Sequence, residues 1–203
     1  MRYIATFGYH TNHIFDDCSN FIGTKEQISD VILIYSVDDD AKDYELQQIE
    51  KTKEELELKL KSLEIPYIII KVDPYDFNKN VKRFRKYIIP KTTINITGGK
   101  RIVGHALFYS AILERNKIEK VIYVSKIGKV IELPLVSPNI TLTTFEKQIL
   151  KILDRKKYMY VSEIAKELGK SVSMVSEYIS KLEKKGLIKK IHKGRKRIIE
   201  RII

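Results

Sequence analysis

Residues 95–104 read "NITGGKRIVG": an apolar run ends, two adjacent glycines follow, and Lys100 and Arg101 open a second apolar pattern. The run before the glycines, TINIT at 93–97, is short and β-branched, which predicts a strand. Beyond them Val103, Leu107 and Ile112 follow a helical spacing. A strand turning directly into a helix is the repeating unit of a parallel α/β sheet. Gly98, Gly99 and Lys100 therefore fall at a helix N-terminus and at the carboxyl end of a strand. Open α/β sheets bind ligands there, and unpaired backbone N–H groups there meet anions. Neither familiar phosphate loop is present. The P-loop needs Gly, four residues and Gly-Lys-Ser/Thr, and the dinucleotide fingerprint needs G-x-G-x-x-G; here the glycines stand at 98, 99 and 104.

The flanking sequence repeats the strand–helix alternation. RYIATF, VILIYS, YIIIKV and KVIYVS are four more short runs rich in β-branched and aromatic residues. Between them the clearest helix is 44–63, with Leu46, Ile49, Leu56, Leu60 and Leu63 as its apolar stripe and Lys53 interrupting it. Strands apolar on both faces and separated by helices predict a mostly parallel sheet covered on both sides. KVIYVSKIGKVIELP adds a final antiparallel hairpin turning near Gly128. The first strand ends in "TFGYHTNHIF", where Gly8 lies between Phe7 and Tyr9 and His10 and Asn12 precede the next helix. This loop and the Gly-Gly turn are expected to face one crevice, a mixture of aromatic, polar and cationic groups that suits a nucleotide.

Composition sets the remaining limits. The 203 residues fit one large domain or two small ones, and 43% hydrophobic content suffices for real cores. No apolar run is long enough to span a membrane, and the start, MRYIATFGYH, lacks the pattern of a secretory signal, so a cytoplasmic protein is expected. Cys18 is the only cysteine, which excludes an internal disulfide and a cysteine-based zinc site. The four histidines are scattered, so no metal and no cofactor is expected. Charge is uneven. Residues 1–137 carry 21 Lys and Arg against 19 Asp and Glu, a net of +2, whereas residues 138–203 carry 17 against 7, a net of +10. Such a concentration is the footprint of nucleic-acid binding.

The pattern changes across "LPLVSPNITLT", which places the domains at 1–137 and 138–203. Thr143 and Glu146 form a capping-box pair for a helix burying Phe145, Ile149, Ile152 and Leu153. Ser162 is positioned to cap a short second helix ending at Gly169, and Ser171 a third, whose Val172, Val175, Ile179 and Leu182 make the buried stripe. LIKKIH and RKRIIERII around Lys193-Gly194 read as a hairpin. Helix, turn, helix and a basic hairpin resemble the winged helix-turn-helix regulators over residues 143–203. The expected DNA-facing residues are Ser171, Ser173, Met174, Glu177, Ser180, Lys181 and Lys184 on the third helix, with Lys193, Arg195, Lys196 and Arg197 at the wing tip. One copy covers a half-site, so a dimer on double-stranded DNA is implied.

Taken together, a Rossmann-like domain with a ligand loop after strand one, a Thr-Gly-Gly-basic turn after strand four and a C-terminal winged helix resembles the CARF (CRISPR-associated Rossmann fold) transcription regulators of archaeal CRISPR systems. The resemblance spans the chain, and Asn95 to Lys100 is its most specific motif. It implies a homodimer binding a cyclic oligoadenylate, often the tetramer, across its two-fold axis. It further implies that Phe7, Gly8, Tyr9, His10, Thr97, Gly98, Gly99, Lys100 and Arg101 line the site, with Ser36 a further candidate. Two alternatives stay open. One is a ring nuclease that cuts its ligand by metal-independent 2′-OH attack, with Lys100 or Arg101 stabilising charge and His10 as acid or base. The other is a regulator sensing another nucleotide or metabolite.

Overall fold

The computed structural model describes residues 1–16, 20–24, 27–136, 141–156, 158–193 and 196–202; of residues 192, 193, 196 and 197 it describes the backbone. The chain divides into two compact units, Met1–Leu133 and Pro134–Ile203.

Six strands build the N-terminal unit: β1 Arg2–Thr6, β2 Asp30–Tyr35, β3 Tyr67–Lys71, β4 Thr92–Asn95, β5 Ile118–Val124 and β6 Val130–Leu133. Their order is β3-β2-β1-β4-β5-β6. The first five are parallel, and β6 returns antiparallel to β5 around Gly128, whose φ is +75°. Three helices make the crossings: α1 Asp43–Ser62, α2 Phe77–Arg85 and α3 Arg101–Leu113. The order moves one way from β1 to β3 and the other way from β4 to β5. Right-handed crossovers then put α1 on one face of the sheet and α2 with α3 on the other. On the α1 side Leu56 and Leu60 bury against Tyr3, Ala5, Phe7, Val31 and Leu33. The reversal between β1 and β4 is a topological switch point, the position where sheets of this kind leave a crevice.

Three sequence expectations are corrected here. Leu46 and Leu63 are exposed at the ends of α1, while Thr52 takes a buried place in the stripe and donates its hydroxyl to the Gln48 carbonyl. No helix occurs among the described residues between β1 and β2. Phe15 and Phe21 instead form an isolated bridge, their rings 4.7 Å apart, and the Phe21 ring meets Tyr3 at a tilt of 57°. Apolar anchoring of this loop takes the place of helical packing.

The C-terminal unit contains α4 Thr144–Arg155, β7 Met159–Tyr160, α5 Val161–Leu168, α6 Val172–Lys184, β8 Ile188–Lys193 and β9 Lys196–Arg201. Its sheet order is β7-β9-β8. Thr143 Oγ1 accepts from the Glu146 N–H, and Glu146 returns a carboxylate oxygen to the Thr143 N–H, so the capping box forms. Phe145 packs half-buried against a core of Ile149, Ile152, Leu153, Ile164, Val175, Ile179 and Leu182. α5 starts one residue before Ser162: the Glu163 carboxylate accepts from the Tyr160 N–H at 2.8 Å, and Ser162 lies inside the helix. Gly169, at φ +61°, ends α5, and Ser171 Oγ accepts from the Met174 N–H to begin α6. Three residues thus separate the two helices. Val172 is 52% exposed, so the buried stripe begins at Val175.

Candidate functional site

A cavity of about 600 Å³ opens at the carboxyl ends of β1 and β4. From the first loop it takes Gly8, Tyr9 and His10; from the end of β2, Ser36; from the β4 turn, Thr97, Gly98, Gly99 and Lys100. The two loops meet backbone to backbone. A Cβ on Gly8 would lie 3.2 Å from the Gly99 backbone, and one on Gly99, itself at φ +73°, would lie 2.6 Å from the Phe7 carbonyl oxygen. Two of the expected residues stand elsewhere. The Phe7 side chain is fully buried against Tyr35, because the strand's alternation turns it into the α1-side core, and only its backbone reaches the turn. Arg101 is the first residue of α3, exposed and outside the lining.

Hydrogen bonds explain the Asn-Ile-Thr-Gly-Gly order. Asn95 is fully buried; its Nδ2 donates to Tyr3 Oη at 3.0 Å and to the His13 carbonyl at 2.6 Å. Its Oδ1 accepts from the Thr97 N–H and from the Thr97 hydroxyl. Thr97 Oγ1 in turn accepts from the Val124 N–H at 2.8 Å, tying the β4 turn to β5. Both polar side chains of the motif are therefore engaged in holding the turn.

His13, absent from the expected lining, forms part of it. It is buried, and its Nε2 lies 3.0 Å from the Thr6 carbonyl oxygen. That oxygen only accepts, so Nε2 carries the proton. Burial also pulls the imidazole pKa below its ordinary value, so the ring is neutral and its Nδ1 is an acceptor. The ring sits directly under Gly98, where a Cβ would fall 2.3 Å from Nε2.

Lys100 caps α3 with its backbone, and its Nζ is bonded to Asp38 Oδ2. The other Asp38 oxygen accepts from Tyr75 Oη at 2.8 Å. The ammonium of Lys100 and then the Tyr75 hydroxyl hold the Asp38 carboxyl below its ordinary pKa. Asp38, Tyr75 and Lys100 together join the loops after β2, β3 and β4, and nothing in the sequence marks Asp38 as a member of this trio. Tyr9, half outside the cavity, donates its hydroxyl to Glu45 of α1 at 3.1 Å. The opposite wall comes from Tyr123, Ser125, Lys126 and Gly128 of the β5–β6 hairpin, none of them among the residues expected in the lining. Among the described residues no group of His, Cys, Asp and Glu is arranged to hold a metal, and no helix is long and apolar enough to cross a membrane.

In the second unit α6 presents Ser171, Ser173, Glu177, Lys181 and Lys184 outward. Lys181 pairs with Glu177 at 2.6 Å and lies over the Tyr178 ring. Met174 and Ser180 are half-buried; Ser180 accepts from Lys190 of β8, which draws it toward the wing rather than outward. Exposed Val172 joins the outward first turn of α6. Lys193 and Lys196 face one another on the last rung of the hairpin, next to the His192 and Arg197 pair, and Arg195 lies outside the described residues.

Residues 1–134 match the family described as Csa3 CRISPR-associated Rossmann-like domain. Residues 147–190 match the family described as bacterial regulatory protein, arsR family. No curated protein sequence matches the chain. Among solved structures it is similar to Enterococcus italicus Csm6 bound to cyclic hexa-2′-fluoro-hexa-dAMP, at 13% identity and a TM-score of 0.49, covering 90% of this chain and 53% of that one. It is also similar to Can2 from Sulfobacillus thermosulfidooxidans in complex with cyclic tetra-adenylate, at 16% identity and a TM-score of 0.42, covering 95% and 54%. The chain thus spans about half the length of these two proteins.

Proposed function

Because the chain belongs to the Csa3 family of CRISPR-associated Rossmann-like domains, we propose that it is a CRISPR-associated transcription regulator, sensing a cyclic oligoadenylate and binding duplex DNA. The observation carrying this reading is the cavity at the switch point, assembled by the Gly98-Gly99 turn and the loop after β1. Its volume of about 600 Å³ lies within the range of small-molecule sites, about 300–1,000 Å³. It offers backbone at a helix N-terminus, a lysine at the mouth and apolar Ile49 and Val124, the mixture a nucleotide needs. Cyclic tetra-adenylate is the ring whose symmetry suits two such cavities related by a homodimer axis, each copy supplying the same contacts. DNA binding is assigned to α6 and the β8–β9 wing, supported by the net charge of +10 over residues 138–203.

Of the two cations ring cleavage would use, Arg101 stands outside the cavity lining and Lys100 is already paired with Asp38, which favours the sensor. Calorimetry of the full chain with cyclic tetra-adenylate, with ATP as competitor, tests the ligand class. Operator affinity with and without saturating ring tests the coupling, expected at about 1–3 kcal/mol. No ring binding, or an operator affinity indifferent to it, sinks the proposal. Linear adenylates appearing during incubation would move it to the nuclease reading.

A further inference from the structure

Ser36 stands just beyond β2 in the cavity lining and is only 5% exposed. Its hydroxyl has no hydrogen-bond partner among the described residues. Buried hydroxyls are nearly always paired, and leaving one unpaired destabilises the free protein. The neighbourhood indicates what would pair it. His13 is neutral, Ile49 and Val124 are apolar, and of the two lysines in this lining Lys100 is committed to Asp38 while Lys126 stands on the β5–β6 hairpin wall. A phosphate driven as deep as Ser36 would have to leave water, which costs far more than burying a neutral group. A base edge is neutral, planar and the part of a nucleotide that reaches farthest from its phosphates. A hydroxyl can both donate and accept, and adenine's edge offers an N–H donor beside a ring-nitrogen acceptor. Thr6 supplies an internal control. Its hydroxyl is likewise unpaired and buried, but Thr6 is not in the lining.

We infer that Ser36 is the specificity-determining residue of this cavity, its hydroxyl bonding the adenine edge of the bound ring. The inference rests on the cyclic-oligoadenylate reading above. Its test is calorimetry of the full-length protein, as wild type, Ser36→Ala and Thr6→Val, with cyclic tetra-adenylate and cyclic tetra-uridylate as probes. Both variants remove an unpaired hydroxyl, so neither lowers the unfolding midpoint. Ser36→Ala weakens tetra-adenylate binding about 2- to 10-fold per hydroxyl, hence about 4- to 100-fold for a ring held by two copies, and narrows the preference over tetra-uridylate. Thr6→Val binds as wild type does. Wild-type affinity in Ser36→Ala overturns the inference and leaves the ligand reading standing. So does equal weakening toward both rings, or equal weakening by the two substitutions. A wild-type protein that binds no adenylate ring removes both together.

Discussion

The Gly-Gly turn can be taken apart with three alanines, because three glycines separate the steric and backbone contributions. Gly128→Ala tests backbone alone: φ is +75° and a Cβ would meet nothing within 4 Å. A left-handed alanine costs about 1 kcal/mol. Gly98→Ala tests contact alone. Its φ is not positive, but the Cβ would lie 2.3 Å from His13 Nε2, 2.5 Å from Cε1 and 2.7 Å from the Thr6 carbonyl oxygen. His13 is buried and anchored to that same oxygen, so it has no easy retreat, and overpacking of this kind costs about 2–3 kcal/mol. Gly99→Ala combines both, with φ +73° and a Cβ 2.6 Å from the Phe7 oxygen, and should cost about 3–4 kcal/mol. Urea unfolding of the full chain reads these values, with amide exchange in β1 and β4 assigning the loss to the N-terminal unit. At a slope of about 2 kcal/mol/M, Gly98→Ala lowers the midpoint by about 1 M or slightly more. A Gly98→Ala midpoint equal to wild type, or a Gly128→Ala loss as large as that of Gly99→Ala, would refute the close approach of the two loops.

In the second unit Glu146 is 1% exposed and bonded to Lys185 at 2.6 Å. Burial alone would raise its pKa, but Lys185 and the Thr143 N–H and hydroxyl outweigh burial and leave it below the ordinary value. A lowered carboxyl stabilises the fold above its unfolded pKa, and this contribution disappears as pH falls through the folded one. Lys185→Met should destabilise the unit by about 3 kcal/mol and move its acid unfolding to higher pH; an unchanged acid midpoint speaks against the pair. Asp38→Asn releases Lys100, so cyclic tetra-adenylate binding should tighten by up to about fivefold in titration calorimetry; weaker binding would show that Asp38 positions the lysine rather than competing for it. DNA affinity measured against salt should fall with a log–log slope of about 0.9 per phosphate contacted, and a flat response would remove α6 and the wing as a duplex-binding surface.

What was legible in the sequence is what local chemistry dictates. β-branched runs became β1 to β5, the Thr143 and Glu146 pair became a capping box, and two glycines after TINIT became the turn where two backbones touch. Periodicity gives the direction of a stripe but not how far its packing partner extends. Leu46, Leu63 and Val172 therefore lie on the right side of their helices and still reach solvent at the ends. Non-local partners leave no trace in one sequence. Asp38 bonds a lysine 62 positions away, and His13 reaches the cavity by folding back on Thr6. Lys126 enters the wall only because β6 turns β5 back on itself. Phe7 misled for a related reason: it belongs to the right loop, but strand alternation sends its ring to the other side.

The two units divide the handling of charge between them. Residues 138–203 concentrate a net of +10, which suits a partner that is a uniform polyanion and is approached from outside. The cavity does the opposite at its floor. Lys100 is matched by Asp38, buried His13 is neutral, and the least exposed polar side chain of the lining is the Ser36 hydroxyl. A neutral floor would give free phosphate no deep counter-charge, while the backbone N–H groups that open α3 would still receive a phosphate held at the rim. Selection then falls to whatever neutral group the phosphates carry with them. A ring satisfies both conditions when its phosphates stay at the helix N-terminus while a base descends between Gly98 and the hairpin. This is why the pairing of Lys100 with Asp38 supports a nucleotide sensor rather than an anion trap.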